Sequence, residues 1–452
     1  DVPPTLVSFA VTTDNTENII TNDFKGAGHK VVLVKPEYDE NHLPCAQSQI
    51  ALFNTVTKLM REGKVLSAYT PTYGGVAEAV LKMGIGNSVG FDYADDIIMD
   101  DIFGYNYGAF ILELNCDENI GTTIGYTTDK CEITYKGEKL CLCELQKIYE
   151  DKLESVYSCN IEQGEGKIEA FNYNATERVA PAIKVATPKV LIPVFPGTNC
   201  EFDSAKAMRD AGAEPEIFVI NNLSSTAIAE SVHNFAVSAA NSQIIFIPGG
   251  FSGGDEPDGS GKFITAFFRN GEVKDAVTDL LDNRAGLMGG ICNGFQALIK
   301  LGLVPYGKII DTDENCPTLT YNDISRHQSK IVRVRVASNA SPWLSACNVG
   351  DVFSVPISHG EGRFVASDAL LAELAKNSQI MTQYVDMNGN ATGDIRFNPN
   401  GSANAVEGIL SPDGRVFGKM GHSERKGYGL YKNVPGEYDM KLFESAVKYF
   451  KG

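Results

Sequence analysis

The apolar positions of the chain change their period several times, and each change marks an element. Residues 5–11 carry apolar side chains close to every second position and are expected to form a strand, as is the apolar run at 30–34 beyond a polar loop with Gly26 and Gly28. Over 46–60 the period lengthens: Ile50, Phe53, Val56 and Leu59 with Met60 recur at the spacing of one helix face, and Gly63 is the expected stop. Gly74-Gly75 leads into a second helix through a tight turn, and 107–114 reads as another strand. Residues 1–155 therefore read as a mixed α/β domain.

Between about 154 and 188 this periodicity fades into Gly, Ala, Pro and charge, the composition of an interdomain connection. We expect a linker over 156–187 and a second domain over 188–452. It opens with an apolar strand at 190–195, the turn Pro196-Gly197-Thr198-Asn199, a helix to Ala211 and a strand at 217–220. Continuous apolar runs at 244–247 and 287–291, each ending in small residues, predict an open parallel sheet covered on both faces. In such a sheet, chemistry gathers at the carboxyl ends of the strands.

Composition narrows the function. At roughly 150 residues per domain, 452 residues suggest two or three domains. Lys and Arg number 39 against 57 Asp and Glu, a net charge of −18, the wrong sign for neutralising phosphate backbones, so nucleic acid is not an expected partner. No apolar run reaches the roughly 18 residues that span a bilayer, and the first residues lack a basic and apolar leader, so no membrane partner and a cytoplasmic location are expected. The ten cysteines follow no disulfide framework and read as reduced thiols. Cys141 and Cys143 form a lone C-x-C that reads as strand rather than zinc site, and Asp95, Asp96, Asp100 and Asp101 read as a solvated loop rather than a Mg²⁺ site. No metal ligand set is expected.

One cysteine stands apart. Gly290-Ile291-Cys292-Asn293-Gly294 falls between the strand at 287–291 and a helix at 295–301 stopped by Gly302, the arrangement of a nucleophile elbow with cysteine in the serine position. Flanking glycines relieve the crowding of so sharp a turn, and the N–H groups of the helix start favour a thiolate and can hold an oxyanion. A base must come from six histidines, of which two precede a glutamate by two residues: His359 with Glu361 and His422 with Glu424. In an extended segment that spacing sets both side chains on one face, so that the carboxylate orients the ring. His422 follows a late strand at 415–420 and is the preferred base; His359, among glycines, better suits a ligand pocket. The glycine-rich loop at 248–254 offers backbone donors, and the N–H groups of Gly250 and Asn293 are the expected oxyanion hole.

The stretches PVFPGTNCE at 193–201, IPGGFSGGD at 247–255, GGICNGFQAL at 289–298, ISHGEGRF at 357–364 and GKMGHSER at 418–425 occur in the order of, and closely resemble, the class I triad-type glutamine amidotransferases, above all those of the phosphoribosylformylglycinamidine synthases. The resemblance implies a flavodoxin-like open parallel-sheet glutaminase domain with Cys292, His422 and Glu424 as its triad, glutamine as substrate and no cofactor of its own. Gln296, His359 and Glu361 are assigned to glutamine binding. Where that family writes Pro-His-Pro-Glu-Arg, this chain has Gly421 and Ser423 in place of both prolines, a less rigid backbone. Residues 4–155 resemble, more distantly, the C-terminal lobe of an aminoimidazole-ribonucleotide-synthetase-like module, through the stretch 67–79. That implies a C-terminal part of a larger enzyme whose remaining N-terminal synthetase domains are its partners and supply the sites for ATP and Mg²⁺. Two alternatives remain: a cysteine hydrolase of the same elbow type acting on another small substrate, and a non-catalytic scaffold.

Overall fold

A computed structural model of the chain describes residues 6–156, 158, 164, 166–253 and 261–452. It divides into two units, Asp1–Asn160 and Ile161–Gly452.

Among the described residues the first unit holds seven strands: β1 (Lys30–Val34), β2 (Val65–Tyr69), β3 (Gly90–Tyr93), β4 (Phe110–Leu114), β5 (Thr122–Thr128), β6 (Glu132–Tyr135) and β7 (Glu138–Cys141). They pair in the order β2-β4-β1-β5-β3-β6-β7, antiparallel except for β3 with β6. Alternation along β1 explains its unbroken apolar run. Val31 and Leu33 pack with Val76, Ala79, Val80 and Met83 of the helix Gly75–Ile85, whereas Val32 and Val34 pack with Leu52, Val56 and Leu59 of the helix Ala46–Arg61. The buried stripe of that second helix differs from the expected one: Ile50 and Phe53 are 59% and 47% exposed, and Leu52 takes their place inward. Residues 6–11 form no strand and are exposed, because no described strand lies alongside to take their backbone hydrogen bonds; Thr5 falls outside the described residues. Cys141 ends β7 as expected, but Cys143 lies in the helix Leu142–Asp151, 3.7 Å in Sγ–Sγ distance from Cys131.

In the second unit β8 (Lys189–Val194), β9 (Glu214–Val219), β10 (Ile244–Ile247), β11 (Leu287–Ile291), β12 (Thr318–Thr320), β13 (Gln328–Val336), β14 (Val352–His359), β15 (Arg363–Val365), β16 (Ile380–Tyr384), β17 (Val406–Leu410) and β18 (Val416–Lys419) come in turn. β12 pairs with β15, and the other nine form one sheet in the order β14-β13-β16-β17-β18-β11-β10-β8-β9. Its half from β9 to β18 is the parallel sheet expected from the continuous apolar runs. From β18 to β14 it continues antiparallel, an extension the early βαβ pattern did not announce. β10 and β11 are buried throughout, as strands covered on both faces must be.

The stretch expected as a linker is tied to this unit. The N–H groups of Phe171, Tyr173 and Val185 donate to Gln383 Oε1, Ala337 O and Phe450 O at 2.8–2.9 Å, and the Arg335 guanidinium holds Phe171 O at 2.7 Å and Asn172 Oδ1 at 2.6 Å. Contacts made largely through the backbone leave no periodicity in the sequence, which is why 156–187 reads as a connection.

Candidate functional site

The site forms where β11 gives way to the helix Asn293–Leu301. Cys292 sits on that turn with φ 54° and ψ −108°, a left-handed conformation that a non-glycine residue holds only under constraint. The constraints are visible: Cys292 N–H donates to Lys419 O of the adjacent β18 at 2.9 Å, and its carbonyl accepts from Gln296 N at 3.0 Å. Gly294 lets the turn close against β10, since a Cβ there would stand 2.1 Å from Ile247 O. The thiol is buried rather than displayed on the surface of the turn, with Ser358 O 3.8 Å from Sγ. Asn293 N–H belongs to the first turn of the helix, whose N–H groups lack intrahelical acceptors.

β18 brings the second group. After Lys419 the chain turns, His422 N–H donates to Pro356 O at 2.9 Å, and Arg425 N–H closes the turn on His422 O at 3.2 Å. Within that turn His422 Nδ1 lies 2.6 Å from Glu424 Oε1. The pairing is thus made in a turn, not in the extended segment that the His-x-Glu spacing suggests. Burial by itself would depress the imidazole; the Glu424 carboxylate, with hydrogen bonds to Cys200 and Cys292, overrides it and raises the His422 pKa well above its ordinary value. Burial of Glu424 acts against its charge in the same way, and the His422 charge and hydrogen bond overcome it, leaving the carboxyl below its usual range. With Nδ1 committed to Glu424, Nε2 is the nitrogen left for Cys292.

The glycine-rich loop closes over both. A Cβ on Gly249 would lie 2.7 Å from His422 Cε1, 3.2 Å from Cys200 Sγ and 3.4 Å from Cys292 Cβ, so any side chain there would displace the group. Asn293 ties loop to elbow: its Oδ1 accepts from Ser252 N at 3.1 Å and its Nδ2 donates to Gln296 Oε1 at 2.9 Å. Gly250 comes after Gly249 in this loop, bridged to Thr198; Gly254 lies outside the described residues.

The three residues assigned to glutamine binding fare differently. The Gln296 amide is buried and spent on protein, its Nε2 donating to Glu361 O at 2.6 Å. His359 ends β14, next to the Ser358 carbonyl that faces Cys292, and neither ring nitrogen bonds a described residue. Burial, then the neighbouring His422 and His327, push its pKa down to about 3, so the ring is neutral. Glu361 is buried close by; burial lowers the pKa of Lys300, and the Glu361 charge opposes that fall.

Residues 187–450 match the family model of the CobB/CobQ-like glutamine amidotransferase domain. The chain belongs to this family. It is 36% identical over 289 residues to the phosphoribosylformylglycinamidine synthase subunit PurQ of Methanococcus maripaludis, covering 59% of this chain and 99% of that subunit. It is 33% identical to the PurQ subunit of Sulfurimonas denitrificans, covering 52% and 90%. Among solved structures, PurLQS from Thermotoga maritima matches at 26% identity with a TM-score of 0.42, over 58% of this chain and 99% of that one. No helix among the described residues is long and apolar enough to cross a membrane.

Two residues packed beside His422, Cys200 and Arg425, carried no role in the sequence reading. Cys200, the N-cap of the helix Glu201–Asp210 that follows β8, is buried with Sγ 3.9 Å from His422 Nδ1, 3.0 Å from Asn199 Oδ1 and 3.1 Å from Arg425 Nη2. The signal was available in PVFPGTNCE, a small-residue turn after a parallel strand like those at 248 and 292. Cys200, His422 and Glu424 bring possible metal-ligand atoms within 4.8 Å of one another. Their geometry is that of hydrogen bonding: ligands about 2.0–2.3 Å from a tetrahedral ion stand well over 3 Å apart, whereas Nδ1 and Oε1 are 2.6 Å apart and a guanidinium already faces the thiol.

Proposed function

We propose that the second unit hydrolyses glutamine through Cys292, His422 and Glu424 and supplies the ammonia to a synthetase. The observation that carries this reading is the buried imidazole held by Glu424 at 2.6 Å, packed with Cys292 against Gly249 where that cysteine sits on a strained strand-to-helix turn. The Cys292 sulfur attacks the carboxamide carbon, and the N–H groups of Gly250 and Asn293 receive the oxyanion. As the tetrahedral adduct collapses, the C–N bond breaks and His422 Nε2–H protonates the leaving nitrogen, releasing ammonia and a thioester. His422 then takes a proton from water, which attacks the thioester; glutamate leaves and the thiol returns. His359, a neutral ring beside this chemistry with no hydrogen-bond partner among the described residues, is assigned to hold the substrate, together with Glu361 and the Gln296 region.

The PurQ names of its relatives support a place in purine biosynthesis. There the ammonia would replace the amide oxygen of formylglycinamide ribonucleotide on partner synthetase domains that bind ATP and Mg²⁺. The test is labelling of Cys292 by a glutamine-mimicking chloroketone. Labelling suppressed by glutamine supports the glutaminase; labelling that glutamine leaves unchanged points to a hydrolase for another substrate; no labelling points to a scaffold.

A further inference from the structure

Lys419 and Glu407 are fully buried, with Nζ 3.0 Å from Oε1. A buried ion pair is a poor way to stabilise a core, because apolar side chains of similar volume serve as well or better without the desolvation cost. What this pair holds is therefore informative. Lys419 Nζ also donates to Gly421 O at 2.9 Å and to Ser423 Oγ at 3.1 Å. Glu407 Oε1 accepts the Gly421 N–H at 2.6 Å, and its other oxygen accepts the Thr382 hydroxyl. Ser423 Oγ in turn faces Met440 Sδ at 3.4 Å. Both polar backbone atoms of the residue before His422, and the side chain of the residue after it, are thus gripped by one pair.

We propose that Lys419 and Glu407 are positioning residues for His422, a charged clamp that fixes the backbone on both sides of the imidazole so that the ring stays between Glu424 and Cys292. Gly421 has the greatest backbone freedom of any residue type, and a turn built on it needs an external hold if its histidine is to keep a 2.6 Å bond. A proline at 421 could not make the bond to Glu407, having no N–H. The clamp takes over the stiffening that a proline ring would give. Neither side chain is placed to touch substrate; both act through the turn.

The proposal rests on His422 being the base, and its test separates the two ideas. In the full chain, Lys419→Met leaves the Glu407 charge buried alone and should lower both the melting temperature and glutamine turnover. The double variant Lys419→Met/Glu407→Leu removes both charges: the melting temperature should return close to that of the parent, while turnover stays roughly 10- to 100-fold lower with KM little changed. Ser423→Ala removes one grip without stranding a charge, should lower turnover several-fold, and decides the matter if the double variant does not recover its melting temperature. The second readout is the His422 ring proton on Nδ1, which a short bond to a carboxylate shifts far downfield in the proton NMR spectrum; it should broaden or vanish in the double variant. A double variant, or failing its recovery Ser423→Ala, that turns over glutamine at the parent rate and keeps a sharp His422 signal overturns the clamp. If the parent itself hydrolyses no glutamine, the glutaminase reading fails, and the ring signal alone still decides the clamp.

Discussion

His422 and His359 each precede a glutamate by two residues, each is buried, and each stands at or just beyond the end of a strand of the same sheet. One ring bonds its glutamate at 2.6 Å; the other bonds no described residue. Their protonation diverges accordingly, His422 rising well above the ordinary imidazole value while His359 falls to about 3. Burial is common to both and favours the neutral ring. The difference is the carboxylate, and it arises from the path of the backbone beyond each histidine: a closed turn returns Glu424 to the ring, whereas Glu361 lies beyond Gly360, and its backbone carbonyl serves Gln296. A spacing motif names candidates; the backbone between them selects one.

The largest effects test that selection. Cys292→Ala should reduce glutamine hydrolysis to background, a loss of about 10⁴- to 10⁶-fold, without unfolding the unit. His422→Ala should lose on the order of 10³- to 10⁴-fold in kcat, since thiol and base act as one unit. His359→Ala should leave kcat within several-fold and raise KM. Steady-state kinetics on the three variants decide it; a large kcat loss at His359 with a small one at His422 would exchange their roles.

How much of this could be read beforehand varies along the chain. β10, β11 and the helix stop at Gly302 match their expected limits because parallel strands buried on both faces write continuous apolar runs between small-residue turns. Cys292, His422 and Glu424 were nameable from local patterns, and the structure brings them together. Cys200 carried its signal only in the small-residue turn PVFPGTNCE, with no partner motif beside it, and its contact with His422 joins positions 222 residues apart. Glu407 and Lys419 sit in strands that read as ordinary sheet, and a buried ion pair leaves no periodic mark. Residues 6–11 mislead in the opposite sense: they have a strand's pattern and no neighbouring strand among the described residues.

A smaller change should turn His422 into a second His359. Glu424→Gln keeps a hydrogen-bond acceptor beside Nδ1 but removes the negative charge that chiefly offsets burial, the largest single influence on the ring, so the His422 pKa should fall from above its ordinary 6.5 to below it. Titration of its ring carbon-bound proton by NMR measures the shift, and turnover should fall with it, because the ring is no longer held charged beside the thiol. A His422 pKa that stays high in Glu424→Gln would mean that Cys200 and Cys292, not Glu424, set its charge.

The last consequence belongs to His359 and concerns stability alone. Its folded pKa, about 3, lies below the unfolded value of 6.5. Between those limits the unfolded chain binds a proton that the folded chain refuses, so stability rises with pH in this window and is lost as pH falls from 6.5 toward 3. Over the first 1.5 units, to pH 5, the loss from this one ring is about 2 kcal/mol. His359→Asn, neutral at every pH, should remove it. Urea denaturation of parent and variant at pH 7, 6 and 5 should therefore show a stability difference nearly constant above pH 6.5 that shifts by about 2 kcal/mol in the variant's favour by pH 5. The carboxylate that supports His422 also loses stabilising charge on acidification, but Glu424 is present in both proteins and cancels from the difference. A difference that does not change with pH would mean that His359 gains a proton as easily folded as unfolded, and the contrast between the two histidines would then rest on Glu424 alone.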